Sequence, residues 1–199
     1  MNPYPRETRL RDGTAVALRP MREDDLDRSH RFFLGLPEVD RLHLRLDVTD
    51  RANVRIRMEA TDALESWRLI ALRGEEIVGD ATLHQPRYGW MRHTGEIRCI
   101  VARPLQGLGL GTCMLGELFQ EATRRGVERL MAEVTPDESA AQRILERLGF
   151  RRELVLRDRR RGTDGVLRDG VIMTAAIADL WRRLADLMQV MDGEGRERP

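Results

Sequence analysis

The chain has 199 residues, of which 34% are charged and 41% are hydrophobic, and its formal net charge is +1. This length suits one domain with its own core, and the balanced charge gives no electrostatic case for binding nucleic acid. No apolar run is long enough to cross a membrane, and the polar stretch Met1–Asp12 is not typical of a signal peptide. We therefore expect neither nucleic acid nor a membrane among the partners.

The two cysteines and four histidines do not have the spacing that a metal site requires. Cys99 and Cys113 fall in a predicted strand and a predicted helix, where free thiols commonly pack as small apolar groups. Isolated cysteines of this kind are typical of a reducing compartment. We therefore predict a cytoplasmic protein without a bound metal.

The first half of the chain predicts strands and one clear helix. Thr14–Arg19 alternates like a half-buried strand, and Asp24–Leu34 has the apolar spacing of a helix, which Pro37 ends. The alternation in Arg41–Asp47 also permits a strand. The next segments are strands over Trp67–Leu72 and Ile77–Leu83, and then a loop over Gln85–His93.

The second half predicts a regular succession of helices and strands. In Thr112–Arg125 the apolar residues recur with the spacing of a helix that lies on a sheet, and Gly126 caps that helix. The following segments are a strand over Leu130–Val134, a helix over Ser139–Leu148 ending in Gly149, a strand over Phe150–Leu156, a charged turn over Arg157–Gly165 and a strand over Val171–Ala176.

The end of the chain carries one more amphipathic segment. An apolar stripe at helical spacing runs from Ile177 to Met191, and we expect residues 192–199 to form a disordered tail. Because no repeat or linker divides the chain, we predict a single domain over residues 1–191 that includes a terminal helix over 177–191.

The stretch Glu96–Thr112 (EIRCIVARPLQGLGLGT) combines a strand, a glycine-rich turn and the start of a helix. Pro104 ends the apolar run because proline has no N–H for a sheet ladder. Gly107, Gly109 and Gly111 then lead into the helix. Glycine lets the backbone approach a ligand, and the free N–H groups and positive dipole end of a helix favour phosphate. We therefore predict a phosphate-binding site here.

The spacing of these glycines argues against two common phosphate sites. A P-loop needs Gly-Lys-Ser/Thr, and the sequence has no lysine. A dinucleotide fingerprint needs a glycine where Thr112 stands, counted from Gly107. Glu133 does follow about twenty residues later, as a ribose-binding acid would, so a nucleotide-binding hypothesis stays open.

The remaining pattern, Gln-x-x-Gly-x-Gly at Gln106, Gly109 and Gly111, resembles the GNAT superfamily of acyl-CoA N-acyltransferases. Arg19-Pro20 followed by Glu23-Asp24-Asp25 is similar to the first strand and helix of that family. Val134–Phe150, which ends in Leu-Gly-Phe, is similar to its second signature. The resemblance covers roughly residues 14–176 and is closest to the catalytic domain of bacterial protein lysine acetyltransferases.

The resemblance implies an α/β fold, more exactly α+β, with a mixed, largely antiparallel sheet flanked by helices and splayed near Val101–Pro104. It favours an irregular helical region through Arg57–Leu64, on the acceptor side. It implies acetyl-CoA as the acyl donor and Glu96 as the general base that deprotonates the acceptor amine. The implied cofactor contacts are the backbone of Cys99 and Val101 and the segment of Gln106, Gly107, Leu108, Gly109, Leu110, Gly111 and Thr112.

The sequence departs from the family where a proton donor for the departing thiolate is expected. Leu145 stands at the position of a frequent tyrosine, and Glu138 at the position of a frequent asparagine. Cys113 and Tyr88 are alternative donors, although core packing and loop anchoring explain them as well. His84 and His93 flank the loop before the central strand and are candidates for the substrate side.

We therefore predict an N-acetyltransferase that transfers the acetyl group to a primary amine. The acceptor is either a protein lysine or a small amine such as an antibiotic, and a chain without lysines could not modify its own side chains. The alternative is a non-catalytic acyl-CoA-binding sensor, which would explain Leu145. The stripe from Ile177 to Met191 includes tryptophan and methionine, residue types enriched at interfaces, and suggests a homodimer formed through that helix.

Overall fold

The computed structural model describes residues 4–41, 44, 46–62, 65–162 and 165–183, and its centre is one eight-stranded sheet. The strand order is β1-β2-β3-β4-β5-β6-β8-β7. All neighbouring strands are antiparallel except the pair β5 and β6. The strands are β1 Arg6–Arg9, β2 Ala15–Pro20, β3 Ser66–Arg73, β4 Glu76–His84, β5 Thr94–Val101, β6 Arg129–Val134, β7 Arg151–Arg161 and β8 Leu167–Ala176. The mixed, largely antiparallel sheet predicted above is confirmed.

Helices cover the two faces of this sheet with separate apolar clusters. The helices are α1 Leu26–Leu34, α2 Glu38–Arg41, α3 Arg51–Asp62, α4 Leu110–Arg124 and α5 Ser139–Leu148. On one face, Phe33 of α1 and Val54 of α3 pack with Ile70 of β3. On the other face, Leu118 of α4 and Leu148 of α5 belong to the larger cluster. The predicted helical stripes therefore cover the sheet as expected.

The contact between α4 and the sheet is close enough to require a glycine. A Cβ atom at Gly79 of β4 would lie 2.7 Å from Sδ of Met114. Met114 is fully buried, as are Leu110 and Leu118 on the same stripe of α4. The helix that follows the glycine-rich turn is thus fixed against the centre of the sheet.

Three segments differ from the sequence-based prediction. Arg6–Arg9 forms β1, which was not predicted because this edge strand is almost entirely polar. The strand predicted to end at Leu156 continues to Arg161, since Arg160 and Arg161 pair with Arg168 and Leu167. The predicted turn over Arg157–Gly165 was therefore wrong in its first part, because charged side chains suit a strand whose edge is exposed to solvent.

The terminal helix, described over residues 177–183, packs on its own domain. Ile177 and Leu180 are buried in the larger cluster, and Nε1 of Trp181 donates a hydrogen bond to Oγ1 of Thr123 on α4 at 3.0 Å. Residues 184–191 of the predicted helix and the predicted tail 192–199 lie outside the described residues. The domain boundary and the disordered tail therefore stay predictions.

Among the described residues, none of the helices combines the length and the apolar character needed to span a membrane.

Candidate active site

The two parallel strands at the centre of the sheet separate part-way along their length. They pair only at Thr94 with Arg129, Gly95 with Leu130, and Glu96 with Met131. Beyond Glu96, β5 continues to Val101 beside β4, and β6 continues to Val134 beside β8. The sheet therefore opens into a V-shaped gap whose apex lies at Glu96.

Backbone groups of β5 face this gap. The N–H of Ala102 bonds to the carbonyl of Val78 on the β4 side. Because successive residues of a strand bond to opposite sides, the backbone groups of Ile97, Cys99 and Val101 point the other way, toward the gap. An extended ligand along β5 can therefore pair with Cys99 and Val101 as an additional strand would.

At the open end of the gap, the glycine-rich turn presents a row of backbone N–H groups. Gly107 and Gly109 have φ angles of +77° and +95°, which glycine adopts readily, and no atom lies within 4 Å of a Cβ built on Gly107. Gly109 is the N-cap of α4 and supplies no capping side chain. Within the described residues, the N–H groups from Gly107 to Thr112 donate no hydrogen bond. They fit the oxygens of a phosphate.

In this structure the side chain of Gln106 bonds to the neighbouring strand and does not act as a direct ligand of the phosphate. Its Nε2 atom donates a hydrogen bond to the carbonyl of Val101 at 2.9 Å. The bond ties the start of the glycine-rich turn to the end of β5. The side chain thereby fixes the distance between the strand and the row of N–H groups.

Glu96 lies at the apex of the gap and carries a close ion pair. Its Oε1 atom accepts hydrogen bonds from Nη2 of Arg98 at 2.6 Å and from Nε of Arg98 at 3.1 Å. Only 10% of the Glu96 side chain is exposed. Because Glu96, Arg98 and Ile100 alternate along β5, they share the face on which Ile100 packs against α1 and α3.

A second group of charges lies buried on that face and was not found by sequence reasoning. Asp80 of β4 accepts a hydrogen bond from Arg57 of α3 at 2.6 Å, and Arg68 of β3 lies 3.8 Å from its other carboxylate oxygen. Burial lowers the pKa of Arg68 to about 10, even though Asp80 acts in the opposite direction. The group joins α3 to the sheet beside the gap. In the sequence, only the alternation of polar residues in β3 and β4 could have suggested this buried group of charges.

Comparison with known families agrees with this geometry. The sequence model of the acetyltransferase (GNAT) domain matches residues 16–151. This range contains the separating strands β5 and β6, the glycine-rich turn and the helices α4 and α5. The chain belongs to the GNAT acetyltransferase family.

Several solved structures share the fold at low sequence identity. A putative acetyltransferase from Salmonella typhimurium, solved with its cofactor acetyl-CoA, is 21% identical with a TM-score of 0.70, and the match covers 81% of this chain and 94% of that one. The GNAT domain of PAT from S. lividans is 20% identical with a TM-score of 0.71, covering 86% and 96%. RimJ from Mycobacterium smegmatis, in complex with CoA-disulfide, is 22% identical with a TM-score of 0.71, covering 92% and 95%.

Both cysteines of this GNAT domain have raised thiol pKa values. Burial raises the pKa of Cys99 to about 12, with a smaller contribution from the charge of Asp80. Burial also raises the pKa of Cys113, although Thr8 and Arg6 act in the opposite direction. Thiols of this kind stay protonated at neutral pH and are poor nucleophiles.

Tyr88 is exposed, whereas Leu145, Glu138 and the two histidines have structural contacts. Leu145 is buried in the larger apolar cluster and has no proton to donate. Oε2 of Glu138 accepts hydrogen bonds from the N–H and hydroxyl of Thr135 at the start of α5. Nδ1 of His84 contacts the hydroxyl of Ser66, and Nδ1 of His93 donates to the carbonyl of Trp90.

Two further observations concern the surroundings of the gap. Glu133, the acid that a nucleotide-binding hypothesis needs at the ribose, accepts a hydrogen bond from Nε of Arg160 at 3.0 Å.

A cavity of about 350 Å³ lies between α1 and α3, on the same side of the sheet as Glu96. A cavity of that volume can take a small ligand or a side chain. Its lining residues are Met21, Arg22, Glu23, Leu26, Arg55, Met58 and Glu59.

Within the described ranges, no group of three or more His, Cys, Asp and Glu side chains is placed to hold a metal ion.

Proposed function

We propose that the protein transfers the acetyl group of acetyl-CoA to a primary amine by direct attack, with Glu96 as the general base. The observation that carries the proposal is the position of Glu96 at the apex of a gap whose open end presents the N–H groups of residues 107–112. Ten residues of one continuous strand and turn thus connect the carboxylate of Glu96 to the phosphate cradle, by which we mean the N–H groups of residues 107–112. Acetyl-CoA has the same arrangement, with a thioester at one end of a long arm and a pyrophosphate at the other.

The residues that would hold acetyl-CoA follow from the geometry. The N–H groups of Gly107, Leu108, Gly109, Leu110, Gly111 and Thr112 would bind the pyrophosphate, and the backbone of Cys99 and Val101 would bind the pantetheine arm. Gln106 would set the distance between these two parts through its bond to Val101. A donor in the segment Cys99–Val101 would meet the thioester oxygen and stabilise the negative charge that develops there.

The chemistry requires only that Glu96 accept a proton. The Glu96 carboxylate takes a proton from the ammonium, the freed amine nitrogen bonds to the thioester carbon, and the carbon–sulfur bond breaks while that nitrogen releases its second proton to water. The thiolate leaves and takes a proton from water, because thiolates are stable leaving groups near neutral pH. Leu145 therefore does not prevent turnover.

The main rival is an acyl-CoA sensor that binds the cofactor without turnover. The close pairing of Glu96 with Arg98 favours it, because the carboxylate oxygen Oε1 already accepts two hydrogen bonds from the guanidinium. The enzyme is favoured by the position of this carboxylate at the apex of the gap, which a sensor does not need. Both proposals include binding of acetyl-CoA at residues 107–112.

The acceptor is a protein lysine or N-terminal amine in the first candidate, and a small amine in the second. The likeness to a ribosomal-protein-alanine N-acetyltransferase from Brucella melitensis, 23% identical with a TM-score of 0.68, supports a polypeptide. The cavity between α1 and α3 supports either one.

The deciding experiment measures CoA release from acetyl-CoA in the presence of a panel of peptides and small amines. An enzyme releases CoA faster with at least one amine than with buffer alone. A protein that binds acetyl-CoA by calorimetry but never releases CoA above the buffer rate is a sensor. If acetyl-CoA does not bind at all, both proposals are wrong.

A further inference from the structure

We propose that the loop over residues 85–93 is a docking platform for an acidic segment of a polypeptide acceptor. The proposal rests on the acetyltransferase function proposed above and specifies its acceptor. In the rest of this section, the platform means Arg87, Tyr88, Trp90, Met91 and Arg92.

The platform carries the most exposed aromatic side chains in the described part of the chain. Trp90 is 87% exposed and Tyr88 is 78% exposed, whereas no other large hydrophobic side chain described here exceeds the 54% of Ile56. Met91 is also exposed. Tryptophan, tyrosine and arginine dominate the binding energy of protein interfaces, and burying an exposed tryptophan removes a large apolar area from water.

The exposure is not that of a loosely held loop, because hydrogen bonds fix its backbone at several points. Nε2 of Gln85 donates to the carbonyl of Arg92 at 2.8 Å, and Nδ1 of His93 donates to the carbonyl of Trp90 at 3.0 Å. The N–H of Thr94 bonds to the carbonyl of Met91 at 2.9 Å. A loop held in this way loses little conformational entropy when a partner binds.

The base of the loop is also joined to the rest of the sheet. The carbonyl of His93 accepts hydrogen bonds from the N–H groups of Glu128 and Arg129 at 2.8 and 3.1 Å. The N–H of Gln85 bonds to the carbonyl of Glu65 at 2.7 Å. The aromatic side chains therefore project from a backbone that β3, β5 and β6 all support.

The charge of the platform is positive. Arg87 and Arg92 lie on either side of the aromatic residues, and residues 85–93 include no acidic side chain. The guanidinium of Arg87 lies 5.9 Å from the centre of the Tyr88 ring. The carboxylate of Glu65 lies beside the loop and accepts a hydrogen bond from the backbone N–H of Arg87 at 3.5 Å. A partner segment with carboxylates and an apolar side chain complements this surface.

The position of the platform explains its use. His93, the last residue of the loop, precedes Glu96 by three residues, a separation of at most roughly 10 Å. A polypeptide is long enough to contact the platform with one segment and to present an amine at Glu96 with another. Nucleic acid is less suited because the whole chain has a net charge of only +1, and a membrane surface usually requires more than two basic residues.

The test measures affinity by calorimetry with the full chain and three synthetic peptides of equal length. Each peptide has a free N-terminal amine and one central leucine, and the remaining residues are mainly Glu, Gln or Lys. We expect the Glu peptide to bind at least about tenfold more tightly than the other two, and its affinity to fall with added salt. Equal affinities, or tighter binding of the Lys peptide, overturn the proposal.

Variants test whether the Glu peptide binds at the platform. Trp90→Ser, and separately Arg87→Gln with Arg92→Gln, should weaken binding of the Glu peptide about tenfold or more, while Ile56→Ser, which removes an exposed apolar side chain elsewhere, should not. Acetyl-CoA affinity should stay unchanged in all three. Loss of binding in Ile56→Ser as well, or none in Trp90→Ser, contradicts the proposal.

Two further probes separate this proposal from its rivals and from the proposed function. Tighter binding of oligouridine, or of phosphatidylserine vesicles, than of the Glu peptide would assign the platform to a different partner and overturn the proposal. When the Glu peptide is used as an acceptor, Trp90→Ser should raise KM and leave kcat unchanged. Peptide binding together with no CoA release from any amine of the panel described above contradicts the enzymatic function alone.

Discussion

Oε1 of Glu96 lies 2.6 Å from Nη2 of Arg98, two residues farther along the same strand. The pair is located where the parallel strands β5 and β6 separate, on the face of β5 that also carries Ile100. A base in this position must exchange its bonds to the guanidinium for the proton of an incoming amine. The ion pair therefore holds the carboxylate in place and also opposes its reaction.

The first prediction separates these two effects of the ion pair. Glu96→Gln should lower kcat about 10²-fold or more with little change in acetyl-CoA affinity, because it removes the basic group and keeps the shape. Arg98→Met should raise kcat by up to about tenfold, because a charge-assisted hydrogen bond of about 1.5 kcal/mol no longer competes for the carboxylate. Steady-state kinetics with an identified acceptor measures both.

The control for these variants is Glu76→Gln, which changes an exposed strand glutamate. It should leave kcat unchanged. A near-normal rate for Glu96→Gln across the pH range would show that Glu96 is a structural residue, and equal losses in Glu96→Gln and Arg98→Met would show that the pair acts only by supporting the strand.

The second prediction concerns the phosphate cradle. Gly107→Glu should abolish acetyl-CoA binding in calorimetry, because it places bulk and negative charge in the open space over the turn. Gly74→Glu is the matched control, since Gly74 also has a positive φ angle and open space but lies in the turn between β3 and β4. Both variants should lose about 1 kcal/mol of stability. An unchanged acetyl-CoA affinity in Gly107→Glu would show that the N–H groups of residues 107–112 do not bind the cofactor.

The third prediction concerns the dependence of stability on pH. Asp25 is fully buried and accepts two hydrogen bonds of 2.6 Å from Arg19. Burial raises the pKa of Asp25, but the bonds from Arg19 and from the N–H of Arg22 lower it by more, so the pKa lies below its ordinary value. Its stabilisation is therefore present above the unfolded-state pKa, near 4, and is lost as the pH falls through the lower folded-state pKa.

The measurement is urea unfolding of Asp25→Asn from pH 7 down to acid. The variant should lose about 3–5 kcal/mol at pH 7, because it leaves Arg19 buried without its counterion, and the difference should shrink below about pH 4. Asp27→Asn, which removes an exposed partner of Arg51, should lose much less stability, because solvent screens an exposed ion pair. An equal loss in the two variants would contradict the prediction.

The fourth prediction concerns the terminal helix and the homodimer. Leu180 is fully buried in its own domain, so Leu180→Ala should lower the free energy of unfolding by about 2–5 kcal/mol. If the chain is a homodimer through residues 184–191, truncation after Arg183 should halve the mass measured by light scattering and leave acetyl-CoA affinity unchanged. A full-length protein that is already a monomer would contradict the dimer.

The sequence by itself determined the order of the elements from the central strand onward and the class of the fold. The apolar spacing in α4 and α5 and the glycines that end both helices are local signals, because a helix must bury one stripe and must stop where a left-handed residue follows. Ser139–Leu148 was predicted with the bounds that the structure has. The row of glycines before α4 likewise identified the turn that presents its N–H groups, since backbone freedom is a property of the residue itself.

Only the tertiary structure decided how the side chains around the gap are paired. Asp80, Arg57 and Arg68 come from three different elements, and the pairing of Glu96 with Arg98 depends on how the face of β5 that carries them packs. The sequence also could not show that β7 extends through its arginines, because the pairing with β8 supplies the hydrogen bonds that local propensity does not. Long-range contacts of this kind depend on packing between distant segments. The spacing of apolar and polar residues within one segment therefore cannot predict them.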